Sequence, residues 1–404
     1  MKKLILGLLT AAMVLGSAGL AFAQQDLPQF CSFGYFRAAI SVGDNWGFDE
    51  DRSSDDHQIY QRVRQYFEYS ANENLTAQVA YEIDNGWGFD GGDWGNDDSN
   101  QIEIKRAQLT FNWPNTQVNI QAGLSCYTMP GGPFGTPVLG GDFPGMFINA
   151  PISDMASLSL GYVRPEDNTR IIESYGTDTS GDQVDAALVS LPLSMEGYSL
   201  NPYFIYTWIG DNSSMLDNFQ AWGTGVGTIA GQLGLESYDD EVNAWWVGLP
   251  FGLDVLDPIS IKGQFLYGAV DADQDALERE GYFFDLGIDY AMDMVTPSLY
   301  FTYSSGDDDD LSDGSETFPS LFSDGYYYPP SGIAFAWNTH FGHQDGNYGF
   351  AQYVPHAVWS LGFALKDITF VQKLDHTPAI ASTQATHDEH VFGRAAPAAF
   401  KNQR

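Results

Sequence analysis

Hydrophobic and polar residues take turns along much of the chain. From Leu75 to Asp84, Leu75, Ala77, Val79, Tyr81 and Ile83 alternate with Thr76, Gln78, Ala80, Glu82 and Asp84. Between Arg106 and Trp113, Ala107, Leu109 and Phe111 oppose Gln108, Thr110 and Asn112. Pro114-Asn115 then turns the chain into a return strand carrying Val118, Ile120, Ala122 and Leu124. The rhythm recurs at Ile259–Tyr267, Tyr282–Tyr290 and Ala357–Leu365. A period of two predicts strands with unlike faces. Their length suits a tilted strand crossing a bilayer, ~9–11 residues, better than the ~5–6 of a soluble sandwich. The pattern predicts about fourteen strands, near 29–42, 57–69, 74–84, 101–113, 116–124, 154–164, 183–193, 199–208, 241–250, 258–269, 279–291, 294–305, 356–367 and from 373.

The connections also alternate. Short turns fall at 71–74, Pro114-Asn115 and Met292-Asp293, whereas long Gly-, Asp- and Ser-rich segments cover 43–56, 84–100, 210–241, 271–278 and 306–355. Short turns at one rim and long loops at the other predict an all-β, transmembrane antiparallel β-barrel. Trp113, Tyr162, Trp208, Tyr267, Tyr290 and Trp359 stand near strand ends, where interfacial aromatic girdles are expected.

Composition narrows the class. There are 53 acidic against 17 basic residues, a formal charge of −36, with 15% aromatic and only 17% charged residues. So acidic a chain has no phosphate-tracking surface for nucleic acid, and its two cysteines exclude a disulfide scaffold. Lys2-Lys3, the apolar run Leu4–Leu20 and Ala21-Phe22-Ala23 read as a signal peptide, residues 1–23, cleaved after Ala23. No later segment is apolar for the length of a helical span, so a membrane form must be a barrel.

Several short motifs in order resemble one family: Gln61-Arg62-Val63-Arg64, Glu103-Ile104-Lys105-Arg106-Ala107, Trp113-Pro114, Gln121-Ala122-Gly123-Leu124, and Leu365-Lys366-Asp367-Ile368-Thr369-Phe370 before Leu374-Asp375-His376-Thr377. Across residues 29–377 the chain resembles the homotrimeric outer-membrane porins of sulfate-reducing bacteria and, more distantly, general trimeric porins. The resemblance implies a barrel of about sixteen strands, within the range of such channels, over 24–377. It also implies location in the bacterial outer membrane, a homotrimer, and passive diffusion of small hydrophilic solutes without a cofactor. The third external loop would fold inward. Here it is the Gly/Pro-rich stretch Ser125–Asp154, whose Met129, Phe134, Asp142, Phe143, Met146 and Phe147 are the candidate constriction residues. Residues 378–404 lose alternation and are expected to be an atypical tail, truncated or frame-shifted.

Charge at mid-membrane costs ~2–4 kcal/mol for Arg or Lys facing lipid. Arg62, Arg64, Glu68, Glu82, Arg106, Gln108, Lys262, Asp285 and Asp289 are therefore expected to line water. Lys105 and Arg106 cannot both face inward on a regular strand, so a bulge or a rim position is required at Lys105. A basic ladder facing an acid on the inward loop would set a transverse field, or would simply brace the wall.

Overall acidity suggests a preference for cations. The Asp307–Asp310 tract and Asp90, Asp93, Asp97 and Asp98 are candidates for divalent cations bridging to lipopolysaccharide, although no complete EF-hand spacing occurs. No H-E-x-x-H or G-x-S-x-G motif supports an enzyme. A channel selective for a sugar or carboxylate, and a secreted β-sandwich that binds carbohydrate or calcium, are the alternatives. Cys31 and Cys126 are left either paired or free.

Overall fold

A computed structural model describes residues 27–43, 56–86, 102–167, 183–210, 213, 242–272, 275, 278–306, 314–323, 358–371 and 374–386. The signal segment, the acidic tracts 90–98 and 307–310, and residues 387–404 lie outside them.

Among the described residues the strands form one 18-stranded sheet and a separate two-stranded hairpin. The sheet is a meander. It passes through β1 (Gln29–Gly43), β2 (Asp56–Asn72), β3 (Leu75–Gly86), β4 (Glu103–Asn112), β5 (Asn119–Thr128), β6 (Leu139–Ser153) and β7 (Ala156–Glu166). Next come β8 (Val184–Ser190) and β9 (Leu193–Met195), halves of one run broken at Leu191-Pro192, and β10 (Tyr198–Leu200) and β11 (Tyr203–Ile209), broken at Asn201-Pro202. It continues through β12 (Val242–Leu256), β13 (Ile259–Asp271), β14 (Arg279–Tyr290), β15 (Thr296–Ser304), the short β16 (Phe322–Ser323) and β17 (Val358–Lys366). After the hairpin of β18 (Ile368–Val371) and β19 (Leu374–His376), β20 (Ala379–Ala385) pairs with β17. Each wall strand pairs antiparallel with its neighbour in the meander; β16 alone pairs parallel, with β6.

The alternation is realised as two faces. On β14, Tyr282 is exposed on one face while Gly281, Phe283, Asp285 and Gly287 are buried on the other. On β11, Phe204 and Trp208 are exposed and Tyr203, Ile205, Thr207 and Ile209 are buried. The outer columns contain the neighbours Leu249 and Phe265, and Tyr69 on β2 and Leu109 on β4, which flank Ala77 of β3; all four are exposed. So extensive an exposed apolar face on long strands is a surface for lipid rather than for water. A sandwich would bury these columns between two layers, and among the described residues no second layer covers them. Trp113, Tyr198 and Tyr290 are exposed near the short-turn rim; Trp208 and Tyr282 are exposed towards the other.

Two expectations are corrected. Residues 139–153, read as loop, form β6; its glycines at 140, 141 and 145 interrupt the hydrophobic pattern but not the ladder. The sheet also continues beyond Thr377, into the supposed tail, because the small residues Ala379, Ala381 and Ser382 of β20 still pair in register with β17. Among the described residues β1 pairs with β2 alone and β20 with β17 alone.

Candidate functional site

The inward loop is shorter than predicted. β5 extends to Thr128 and β6 starts at Leu139, which leaves 129–138 to leave the wall. Met129 N donates to Leu139 O at 3.0 Å, and Gly132 and Gly135 exchange N–H···O bonds of 3.1 and 3.3 Å. Gly135 has φ 99°, a conformation that favours glycine. From that turn the loop reaches the opposite wall. Gln264 Nε2 on β13 donates to Gly135 O at 2.9 Å and to Asp285 Oδ2 on β14 at 2.7 Å, and the Phe134 ring meets Tyr300 on β15 edge-on at 5.6 Å. A loop rooted at β5 can touch β13 to β15 only if the sheet curls and the loop crosses its interior. Glycine permits the approach, since a Cβ on Gly132 would lie 2.2 Å from Asp285 Oδ1.

Met129 and Phe134 lie on this loop, both buried. Asp142, Phe143, Met146 and Phe147 do not; they belong to β6. Phe143 is buried, Phe147 stacks on Tyr127 at 4.1 Å between centroids, and Met146 is exposed with the outer column. The inner positions between these rings are taken by Gly141 and Gly145, where a Cβ would meet Phe143 Cζ at 2.4 Å and Tyr162 O at 2.5 Å.

A second segment, 314–323, which no periodic sequence pattern announces, also enters the interior. Ser315 N donates to Glu278 O at 3.0 Å, and Glu280 N donates to Ser315 O at 2.9 Å. Trp246 Nε1 donates to Pro319 O at 2.9 Å, Ser320 Oγ to Pro137 O at 2.6 Å, and Leu321 N to Val138 O at 3.1 Å. Phe322-Ser323 then pairs parallel with Leu139-Gly140. Phe318 and Leu321 are fully buried and join Trp246, Phe283, Tyr300, Phe134 and Val138 in one apolar cluster. In the sequence it is marked by Phe318, Leu321 and Phe322 within a largely polar stretch.

The inner face of β1 to β4 is different in kind. Glu82 on β3 accepts from Arg64 Nε at 2.5 Å and lies 3.4 Å from Arg62 Nε and 3.3 Å from Lys105 Nζ. Lys105 Nζ is also 3.1 Å from Asp142 Oδ2, and Arg106 Nη1 pairs with Asp142 Oδ1. The register shift between Ala80 and Tyr81 opposite Arg106 and Ile104 makes Lys105 the extra residue of a β-bulge. That is how adjacent Lys105 and Arg106 join one network. Arg37 on β1, not singled out from sequence, is in register with Arg62, and Arg64 lies 5.8 Å from the Tyr35 ring centroid.

Other candidates fall elsewhere on the inner face. Glu68 Oε2 accepts from Gln78 Nε2 at 3.1 Å and Gln108 Oε1 from Gln121 Nε2 at 2.9 Å. Lys262 is exposed, and Asp289 is bound by Lys366 Nζ at 2.9 and 3.1 Å. Asp285 does not line water as expected: it is fully buried because loop 129–138 lies over it. Cys31 and Cys126 are not joined in a disulfide.

No family model matches the chain, and no curated protein does. Solved structures of channels resemble it. The outer membrane channel DcaP of Acinetobacter baumannii is 13% identical, with 90% of this chain and 93% of that one covered at a TM-score of 0.43. OprB of Pseudomonas putida is 10% identical over 88% of each chain (TM-score 0.44), and OmpF of Salmonella typhi is 10% identical over 88% and 97% (TM-score 0.40). At such low scores and identities, no solute, subunit count or residue role transfers from these proteins to this chain.

Proposed function

We propose that the protein is an outer-membrane porin: a β-barrel channel through which small hydrophilic solutes diffuse down their gradients. The observation that carries this reading is the crossing loop. Segment 129–138 leaves the wall at β5 and is hydrogen-bonded to Gln264 on β13, over a sheet whose other face is exposed and apolar. A lumen narrowed from within and a hydrophobic exterior are the two parts a diffusion channel needs. The motif resemblance to porins of sulfate-reducing bacteria supports the same reading and adds the homotrimer. Arg62, Arg64, Glu82, Arg106, Gln108 and Lys262 would line the path, with Met129 and Phe134 in the constriction.

The test is reconstitution of the purified full chain in planar bilayers. Stepwise, ohmic current is expected. A bilayer that stays silent while the protein is shown to be inserted and folded would refute the channel. Chemical cross-linking in detergent should give a trimeric band.

A further inference from the structure

We infer that the inner wall of β1 and β2 carries a sugar-binding platform, the stacked rings of Phe33 and Tyr66, on which the flat apolar side of a pyranose rests during passage. The inference rests on the channel reading above and names a solute class for it.

Phe33 stands on the unexpected side of its strand. β1 and β2 run in unbroken register from Gln29–Ser70 to Gly43–Asp56, which places Phe33 beside Tyr66 and Tyr35 beside Arg64. Tyr66 has the parity of Arg62 and Arg64, whose side chains meet Glu82 in the interior. Exposed rings of the opposite parity, such as Phe30 and Phe67, stack 6.2 Å apart on the outer face, where lipid accounts for them. Phe33 points inwards, keeps 47% of its surface accessible, and has no part in the apolar cluster that the two inserted segments build on Trp246, Phe283 and Tyr300. An apolar ring left open to water in a lumen is a surface that a solute can cover favourably.

The two rings form a shelf with a polar rim. Their centroids are 5.0 Å apart and their planes differ by only 7°, a parallel, offset stack. Tyr66 OH accepts from Arg64 Nη1 at 3.3 Å, and Arg64 lies 5.8 Å from the Tyr35 ring centroid. One inward position nearer the short-turn rim, Glu68 Oε2 accepts from Gln78 Nε2 at 3.1 Å. A guanidinium, a phenol, a carboxylate and a carboxamide thus surround the shelf, donors and acceptors together. Sugar hydroxyls both donate and accept, and the C–H face of a pyranose is apolar, so such a ring matches both the shelf and its rim. A simple anion would meet Glu68 and Glu82 as well as the arginines, a cation would meet Arg62 and Arg64 as well as the acids, and neither has an apolar face to lay on the rings. Aromatic lining with a few polar groups that set orientation is the usual make-up of a small-molecule site. An open shelf also binds loosely enough to let its solute go, as conduction requires.

The experiment records current through the full-length protein in planar bilayers in KCl as maltose is added. Maltose should reduce the current saturably, with half-block in the tens-of-millimolar range. A polyethylene glycol of similar size should reduce it only in step with the conductivity of the solution. Phe33→Leu, which keeps an apolar side chain but removes the ring, should raise the half-blocking concentration about fivefold or more. Phe33→Trp, with a larger ring face, should lower it. No saturable block in a conducting wild type, a block by succinate stronger than that by maltose, or a block unchanged in Phe33→Leu overturns the platform while leaving the channel intact. No current from protein shown to be inserted and folded removes the channel and the platform together. If Phe33→Leu does not fold, Phe33→Trp decides: a tighter maltose block supports the platform, and an unchanged or weaker one ends it.

Discussion

Lys105 Nζ stands 3.3 Å from Glu82 Oε1, and the bulge in β4 is what brings it there. Glu82 is held by three bases while almost wholly out of water. Removing the carboxylate leaves Arg62, Arg64 and Lys105 repelling one another. Glu82→Gln should therefore destabilise the barrel by about 3 kcal/mol, the scale for breaking a buried pair. The midpoint of urea unfolding in lipid vesicles measures it, and a loss below half that figure would show the carboxylate to be less central than its contacts suggest.

Phe318→Ala should widen the passage. The ring sits in the cluster between the two inserted segments, 5.7 Å from Phe283, and its loss leaves a cavity of the kind that costs ~3–5 kcal/mol in a well-packed core. Single-channel conductance is expected to rise and to become noisier. Unchanged conductance would mean that segment 314–323 lies clear of the ion path.

At Gly131 a side chain has no room. Its Cβ would lie 2.3 Å from the carbonyl carbon of Gly135, backbone that cannot swing aside as a side-chain tip does. Gly131→Ala should dislodge the turn and, with it, the bond from Gln264 to Gly135 O. Uptake of larger sugars in liposome swelling should rise; retention of the wild-type size cut-off would count against the loop as the narrow point.

Phe265 tests the outer face. It is exposed and lies in register between Leu249 and Phe284. Phe265→Arg should cost ~2–4 kcal/mol on folding into bilayers if that face meets lipid at mid-depth. Gln108→Arg on the inner face should cost much less. Equal costs would remove the distinction between the two faces.

Much of this wall is legible in the sequence because each strand exposes its period to unlike surroundings. Tyr282 to Tyr290 reads outward at every second residue, and Arg62, Arg64 and Glu82 are confined to the other parity by the same physics. Legibility fails where glycine stands in for a side chain. Gly141 and Gly145 hold inner positions of β6 without an apolar group to mark them, so an ordinary strand reads as loop. It fails again where tertiary packing alone decides. Phe318 and Leu321 show no period, and only Trp246, Phe283 and Val138, distant in the chain, explain their burial. Asp285 is the same lesson in reverse: its parity was read correctly as inward, but nothing local announces that Gly132 will settle over it.

The first and last ribbons of the meander set one more condition. Successive antiparallel steps leave β1 and β20 pointing the same way, each with a free margin among the described residues. Inside hydrocarbon such margins are costly. Butting them together would make a parallel seam, slightly weaker per residue than the rest of the wall. To join these margins by antiparallel bonds on both sides, an extended segment must run towards the short-turn rim, so the pairing of β1 and β20 fixes the heading of any stave that sits between them.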